Sequence, residues 1–310
     1  MRTVVLAYGE VGWAGLDELL RLGAEVPLVV SHRDAPGERI WFRSVAERAR
    51  EAGVPVLLPD DVNATEARRA IAAAAPDLLL SIYFRQMISP AVLSLARVAA
   101  LNLHGSLLPR YRGRAPVNWV LVHGERETGV TLHEMDEKPD HGPIVAQRRV
   151  AIDRDDTALS LTRKLAAAGR ALLRDAYPRL VAGTAERRPQ DHAGATYFGR
   201  RTPADGRIDW RRDAESIRNL VRAVTDPWPG AFTSARGERL FVWRAEVRPA
   251  EAPLAPGEVA RVSGGEVLVA TGRDWLELLE VSRPGGAHES GGAWARRERL
   301  APGERLGAEP

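Results

Sequence analysis

Asn102-Leu103-His104-Gly105-Ser106-Leu107-Leu108-Pro109 starts in an apolar run and ends in a loop containing glycine and proline. Asn102 and His104 are two residues apart. On a strand, that spacing turns both side chains to one side while Leu101 and Leu103 face the other. An amide able to donate to a developing oxyanion would then project beside an imidazole able to move a proton. A lone buried histidine is more often a satisfied structural residue, and spacing alone leaves both readings open. Asp140-His141-Gly142-Pro143-Ile144 puts a carboxylate in a second loop between strand-like segments. There it could orient His104 and support its protonated form during proton transfer.

Arg110-Tyr111-Arg112-Gly113-Arg114-Ala115-Pro116 sets three arginines around a glycine. It is either a solvated loop or an anion clamp for carboxylates or phosphates. The seven histidines lack recognisable ligand spacing, His133 and His141 being eight apart, so no metal is expected. The absence of cysteine excludes disulfides, thiolate ligands and a cysteine nucleophile, and fits a cytoplasmic location. Lys and Arg number 44 against 41 Asp and Glu, a formal charge of +3. No long basic block tracks a nucleic-acid backbone, so no nucleic-acid partner is expected. No signal peptide is read at the N-terminus. No apolar run of the roughly twenty residues a spanning helix needs follows, so membrane insertion is not expected either.

The elements that must carry these residues alternate. Thr3–Tyr8, Glu25–Val30, Val54–Leu58, Asp77–Ile82 and Ala100–Leu103 read as strands, and Leu16–Leu22, Val45–Ala52 and Ala64–Ala75 as helices. That order indicates an α/β unit with a mostly parallel sheet, whose ligands generally sit beyond the carboxyl ends of the strands. Gly9, Gly12 and Gly15 contain no Gly-x-Gly pair and give no dinucleotide fingerprint; they read as a flexible turn. Val130–Met135 and Ile144–Ile152 are strand-like, and Thr157–Leu180 is a long amphipathic helix. Beyond about residue 205, short β-rich stretches between Gly/Pro turns suggest a small β-barrel-like (OB-like) domain preceded by a helix near Ala214–Ala223. Pro284–Pro310, rich in glycine, arginine and glutamate, reads as peripheral or partly disordered. The expected division is 1–203 for the catalytic domain, 204–304 for the β-rich domain and 305–310 for a tail.

In combination, Asn102, His104, Ser106–Pro109, Arg112–Pro116, Thr128-Gly129-Val130-Thr131 and Asp140–Ile144 resemble the folate-dependent formyltransferase family. The resemblance implies a Rossmann-like N-terminal domain that binds 10-formyltetrahydrofolate as donor. It makes Asn102 the transition-state stabiliser, His104 the acid/base and Asp140 its carboxylate partner. It further implies a folate-binding edge at Gln86, Met87 and Ile88, an arginine near the donor at Arg114, and a pterin-facing loop at Asp136, Glu137, Lys138, Pro139 and Asp140. Arg112, Asn118 and Arg201 are candidates for the acceptor.

Within the family, the chain is most similar to the branch that formylates UDP-4-amino-4-deoxy-L-arabinose in polymyxin resistance by lipid A modification. A UDP-amino sugar is therefore the expected acceptor, with methionyl-tRNA or another amino-sugar nucleotide as alternatives. The tRNA enzymes typically carry a longer basic loop; here His32–Trp41 is short, and Asp34 and Glu38 partly offset Arg33 and Arg39. His141 stands where the family commonly has a small residue, with consequences for loop packing or donor fit unless it faces solvent. The decarboxylase domain fused in the bifunctional relative has no counterpart, so the chain reads as a stand-alone enzyme or as one piece of a longer one.

Overall fold

The computed structural model describes residues 1–307; residues 308–310 of the expected tail lie outside the described residues. In chain order the first elements are β1 (Thr3–Ala7), α1 (Gly9–Arg21), β2 (Val29–Val30), α2 (Val45–Glu51), β3 (Val56–Leu57), α3 (Thr65–Ala73), β4 (Leu78–Ile82), α4 (Pro90–Leu93) and β5 (Ala99–His104). They are followed by β6 (Arg112–Gly113), α5 (Pro116–Val122), β7 (Glu127–Glu134), β8 (Ile144–Ala151), α6 (Ala158–Val181) and β9 (Tyr197–Phe198). Two compact units emerge. Unit 1 comprises Met1–Pro116, Arg126–Ile152 and Ser160–Gly199, and unit 2 comprises Val117–Glu125, Asp153–Leu159 and the chain from Arg200 onward.

Unit 1 is built on a seven-stranded sheet ordered β3-β2-β1-β4-β5-β7-β8. The β3 to β5 portion is parallel, whereas β7 runs antiparallel to β5 and β8 antiparallel to β7. The residues of β1 and β4 are buried throughout, as expected of strands covered on both faces. Val4, Leu6, Val30, Leu79 and Ile71 close one core cluster. On α6, the Tyr177 hydroxyl meets Thr3 Oγ1 at 2.9 Å, tying that helix to β1.

The segment Gly9–Gly15 is not a turn; it is the first half of α1. Only Gly9 has a left-handed φ, +71°. Gly12 and Gly15 are there for closeness. A Cβ on Gly15 would fall 2.5 Å from Ile82 Cδ1, and one on Gly12 would fall 3.2 Å from the Ile82 carbonyl. The missing side chains let α1 lie against the sheet, so packing overrides the low helix propensity of glycine.

Unit 2 contains α7 (Ala214–Val224), β10 (Ala231–Ala235), β11 (Glu238–Arg248), β12 (Val259–Ser263), β13 (Glu266–Ala270), β14 (Trp275–Ser282), β15 (Glu289–Ser290) and α8 (Gly291–Glu298). Its antiparallel sheet follows the path β10-β11-β14-β13-β12, with β15 on β14. The path ends at β10 and β12, and closure into a barrel is not among the pairings of the described residues. The described residues after Pro284, expected to be peripheral, pack instead. Ser290 caps α8 by accepting from Ala293 N at 3.2 Å, and Trp294, Ala295, Leu300 and Leu306 are buried. Sparse apolar anchors in a charged stretch suffice for docking. Among the described residues, no helix is long and apolar enough to cross a membrane.

Candidate active site

The last residues of β5 and the loop after β7 bring Asn102, His104 and Asp140 together. Asn102 and His104 project to the same side, as their two-residue spacing requires. Asn102 Nδ2 donates to Asp140 Oδ1 at 3.3 Å, and His104 Nδ1 stands 3.5 Å from the same oxygen. The other carboxylate oxygen, Oδ2, accepts from the Gly113 backbone N–H at 2.8 Å. Burial works against ionisation of Asp140, yet the neighbouring His104 and the Gly113 N–H on its other oxygen favour the carboxylate and hold the group well below the usual carboxylate range.

His104 Nε2 lies 2.8 Å from the Tyr111 carbonyl oxygen. A carbonyl can only accept, so Nε2 carries a hydrogen and Nδ1 is the nitrogen that gains and loses a proton. The loop after His104 is braced from β7: Thr131 Oγ1 donates to the Ser106 carbonyl at 2.6 Å and accepts from Leu108 N at 3.1 Å.

The Asp140 loop is held as tightly. Asp140 adopts a left-handed φ of +52°, a conformation that Asp tolerates better than most residues. Gln190 Nε2 donates to the Asp140 and Gly142 carbonyls at 2.9 and 2.7 Å. A Cβ on Gly142 would sit 2.2 Å from the Glu134 carbonyl oxygen, so only glycine lets the loop cross there. Arg112 is buried and gives its guanidinium to Gln190 Oε1 at 2.6 Å and to His192 Nδ1 at 2.9 Å. It therefore braces the loop through Gln190. His141 does not simply face solvent: its Nδ1 meets Asp136 Oδ2 at 2.6 Å, and its ring stacks on His192 at 4.3 Å.

The remaining sequence candidates are distributed. Gln86 spends its amide on Val62 N and the Asp60 carbonyl, 2.8 Å each; Met87 is exposed and Ile88 belongs to the core. Asp136 Oδ1 accepts from Lys138 N at 2.8 Å, and Glu137 and Lys138 are exposed on the loop before Pro139. Arg114 is exposed, its backbone N–H donating to the Phe198 carbonyl at 2.9 Å. In unit 2, buried Asn118 donates to the Ala223 carbonyl at 2.7 Å, and Arg201 lies over the Trp119 ring at 4.5 Å and donates to the Asp205 carbonyl at 2.8 Å. Among the described residues, no cluster of His, Asp and Glu is arranged to hold a metal ion.

The sequence reading did not single out His133 or Gln190. His133 pairs with Asn102 across β5 and β7, and its Nε2 lies 3.4 Å from Asp140 Oδ1 and 3.2 Å from Asn102 Nδ2. Its alternation with Thr131 on β7 was the available signal.

Two family models match the chain: a formyl transferase model over residues 1–177 and a formyl transferase C-terminal domain model over residues 200–299. Among solved structures, an N-formyltransferase from Helicobacter canadensis in complex with folinic acid and dTDP-3-aminofucose is similar at 18% identity and a TM-score of 0.69, over 89% of this chain and 98% of that one. Methionyl-tRNA formyltransferase from Clostridium thermocellum matches at 17% identity and a TM-score of 0.56, over 80% and 94%. HypX from Aquifex aeolicus in complex with tetrahydrofolic acid matches at 20% identity and a TM-score of 0.66 over 98% of this chain, which spans about half of that protein (48%). At these identities the structures establish a shared fold. The N-terminal model covers more than half of the residues, and with it the chain belongs to the formyl transferase family.

Proposed function

We propose that this chain is a folate-dependent N-formyltransferase that acts on the amine of an amino-sugar nucleotide. The observation that carries the reading is the convergence of Asn102, His104 and an ionised Asp140. Asn102 donates an N–H to the formyl oxygen as negative charge grows there. His104 Nδ1 takes the proton of the attacking amine, and Asp140 stabilises the imidazolium that results. A C–N bond forms to the acceptor as the C–N10 bond of 10-formyltetrahydrofolate breaks, and His104 returns the proton to the departing nitrogen. The donor supplies the activated formyl carbon.

Exposed Met87, with the backbone of Gln86 and Ile88, supports a donor edge, because the Gln86 amide and the Ile88 side chain are already committed. Arg114 and the loop Asp136–Pro139 complete that proposal. Of the acceptor candidates, Arg201 is the best suited to a diphosphate, since Arg112 and Asn118 are spent on internal hydrogen bonds.

An amino-sugar nucleotide is favoured over methionyl-tRNA for two reasons. The H. canadensis structure holds a folate and dTDP-3-aminofucose, and the loop that would be basic in a tRNA enzyme carries acids engaged by neighbouring side chains. There the Tyr8 hydroxyl donates to Asp34 at 2.7 Å, and Arg85 pairs with Glu38 at 2.5 Å. UDP-4-amino-4-deoxy-L-arabinose is the acceptor suggested by the likeness to the ArnA formyltransferase domain; another amino-sugar nucleotide is the alternative. We read the protein as a cytoplasmic enzyme.

The test is incubation with 10-formyltetrahydrofolate and, separately, UDP-4-amino-4-deoxy-L-arabinose, dTDP-3-aminofucose and charged initiator tRNA. A formyl mass increment on the arabinose nucleotide supports the full proposal; on dTDP-3-aminofucose alone, it moves the specificity to another sugar. Transfer to tRNA alone would overturn the sugar reading.

A further inference from the structure

His133 is almost wholly sealed, 1% exposed, beside a half-buried Asn102. The register of β7 against β8 shifts between Leu132 and His133, and such irregularities re-aim side chains near reaction sites. His133 Nδ1 lies 2.7 Å from the Glu134 carbonyl oxygen. That carbonyl can only accept, so Nδ1 carries a hydrogen and Nε2 of the neutral ring offers a lone pair. Asn102 Nδ2, His133 Nε2 and Asp140 Oδ1 stand 3.2, 3.3 and 3.4 Å apart, a nearly equilateral triangle.

The triangle constrains the amide. Turning Asn102 Oδ1 inward would set it against an ionised carboxylate oxygen, so Nδ2 faces in. The two N–H bonds of an amide diverge by far more than the corner of this triangle, so only one can enter it, shared between Asp140 Oδ1 and His133 Nε2. The other is left outside, available to a ligand. A hydrogen on His133 Nε2 would reverse this. It would make the ring a second donor to Asp140 Oδ1 and remove the acceptor for the inward Asn102 N–H.

We propose that His133, in its neutral Nδ1–H form, is the positioning residue for Asn102: its Nε2 accepts the inward amide hydrogen and thereby holds the second N–H for the formyl oxygen. The proposal rests on the formyltransferase reading for its last step only. His133→Leu removes the acceptor, and His133→Gln offers an amide oxygen in its place. For the Leu variant we expect kcat to fall by roughly 30-fold, the scale of a displaced catalytic group, with KM for donor and acceptor unchanged within about threefold. The Gln variant should recover most of the lost kcat. Leu and Gln variants equally impaired, or a loss confined to KM, would make His133 a structural residue and overturn the proposal.

A second readout needs no turnover. Histidine side-chain 15N spectra of the labelled wild-type protein at neutral pH should show His133 with its hydrogen on Nδ1 and none on Nε2. A hydrogen on Nε2 overturns the inference whatever the activity. An inactive wild type with the expected tautomer would count instead against the choice of substrates.

Discussion

Asp140 accepts from Asn102 with one oxygen and from the Gly113 N–H with the other. The Asn102 amide is thus oriented before any ligand arrives, and pre-orientation is what makes a donor effective at a developing charge. Asn102→Ala should lower kcat by about 10²–10³-fold with little change in donor affinity; single-turnover rates beside equilibrium binding of 5-formyltetrahydrofolate would check it. Weaker binding in step with the slower rate would instead assign Asn102 to ground-state recognition. Asn102 and His104 were legible in the sequence because a period of two is a local property. His133 was less so: alternation with Thr131 gives its face of β7, but its place beside Asn102 depends on the pairing of β7 with β5 and on the register shift against β8. Gln190 was hidden for the same reason, reaching the Asp140 loop from some fifty positions away.

Two glycines separate local rules from packing ones. At Gly142, an added Cβ meets the backbone oxygen of Glu134 at 2.2 Å, and backbone cannot give way cheaply. Gly142→Ala should shift the Asp140 loop and cost roughly tenfold or more in kcat, and a wild-type rate would mean the loop tolerates the shift. At Gly15 the nearest atom, 2.5 Å away, is the movable end of Ile82. There the helix-propensity gain of about 1 kcal/mol from Gly to Ala opposes an overpacking cost of about 1–3 kcal/mol. Gly15→Ala should therefore range from neutral to about 2 kcal/mol destabilising, as urea unfolding would show. The sequence predicted the alternation of strands and helices correctly because buried apolar runs are local. It misread Gly9–Gly15 as a turn because glycine serves turns and close contacts alike, and only the position of β4 distinguishes them.

The molecule as a whole carries several carboxylates whose ionised form the fold favours. Burial opposes Asp17, but Arg48 and Arg170 outweigh it. Glu18 is lowered mainly by Arg174, and Asp140 by His104 and the Gly113 N–H. Each folded value lies below its unfolded one. These groups therefore stabilise the fold above the usual carboxylate values, near pH 4, and lose that contribution as pH falls through their lower folded values. Thermal unfolding midpoints should drop steeply below about pH 4; a midpoint independent of pH between 5 and 3 would contradict this. The docked C-terminal segment was the least legible part of the sequence, because its charged composition conceals Trp294, Leu300 and Leu306, whose burial only the assembled sheet reveals.

Unit 2 draws on three stretches of chain, Val117–Glu125, Asp153–Leu159 and everything after Gly199. This interleaving bears on recombination. A single crossover near residue 200 would separate Asn118 from the Ala223 carbonyl it bonds, and Gly124 from the Asn219 amide that lies 2.8 Å from where its Cβ would be. The fragment 1–203 should accordingly be less soluble than the full chain and unfold without a sharp transition, which calorimetry can test. Exchange of unit 2 with that of a relative would require three matched segments to travel together.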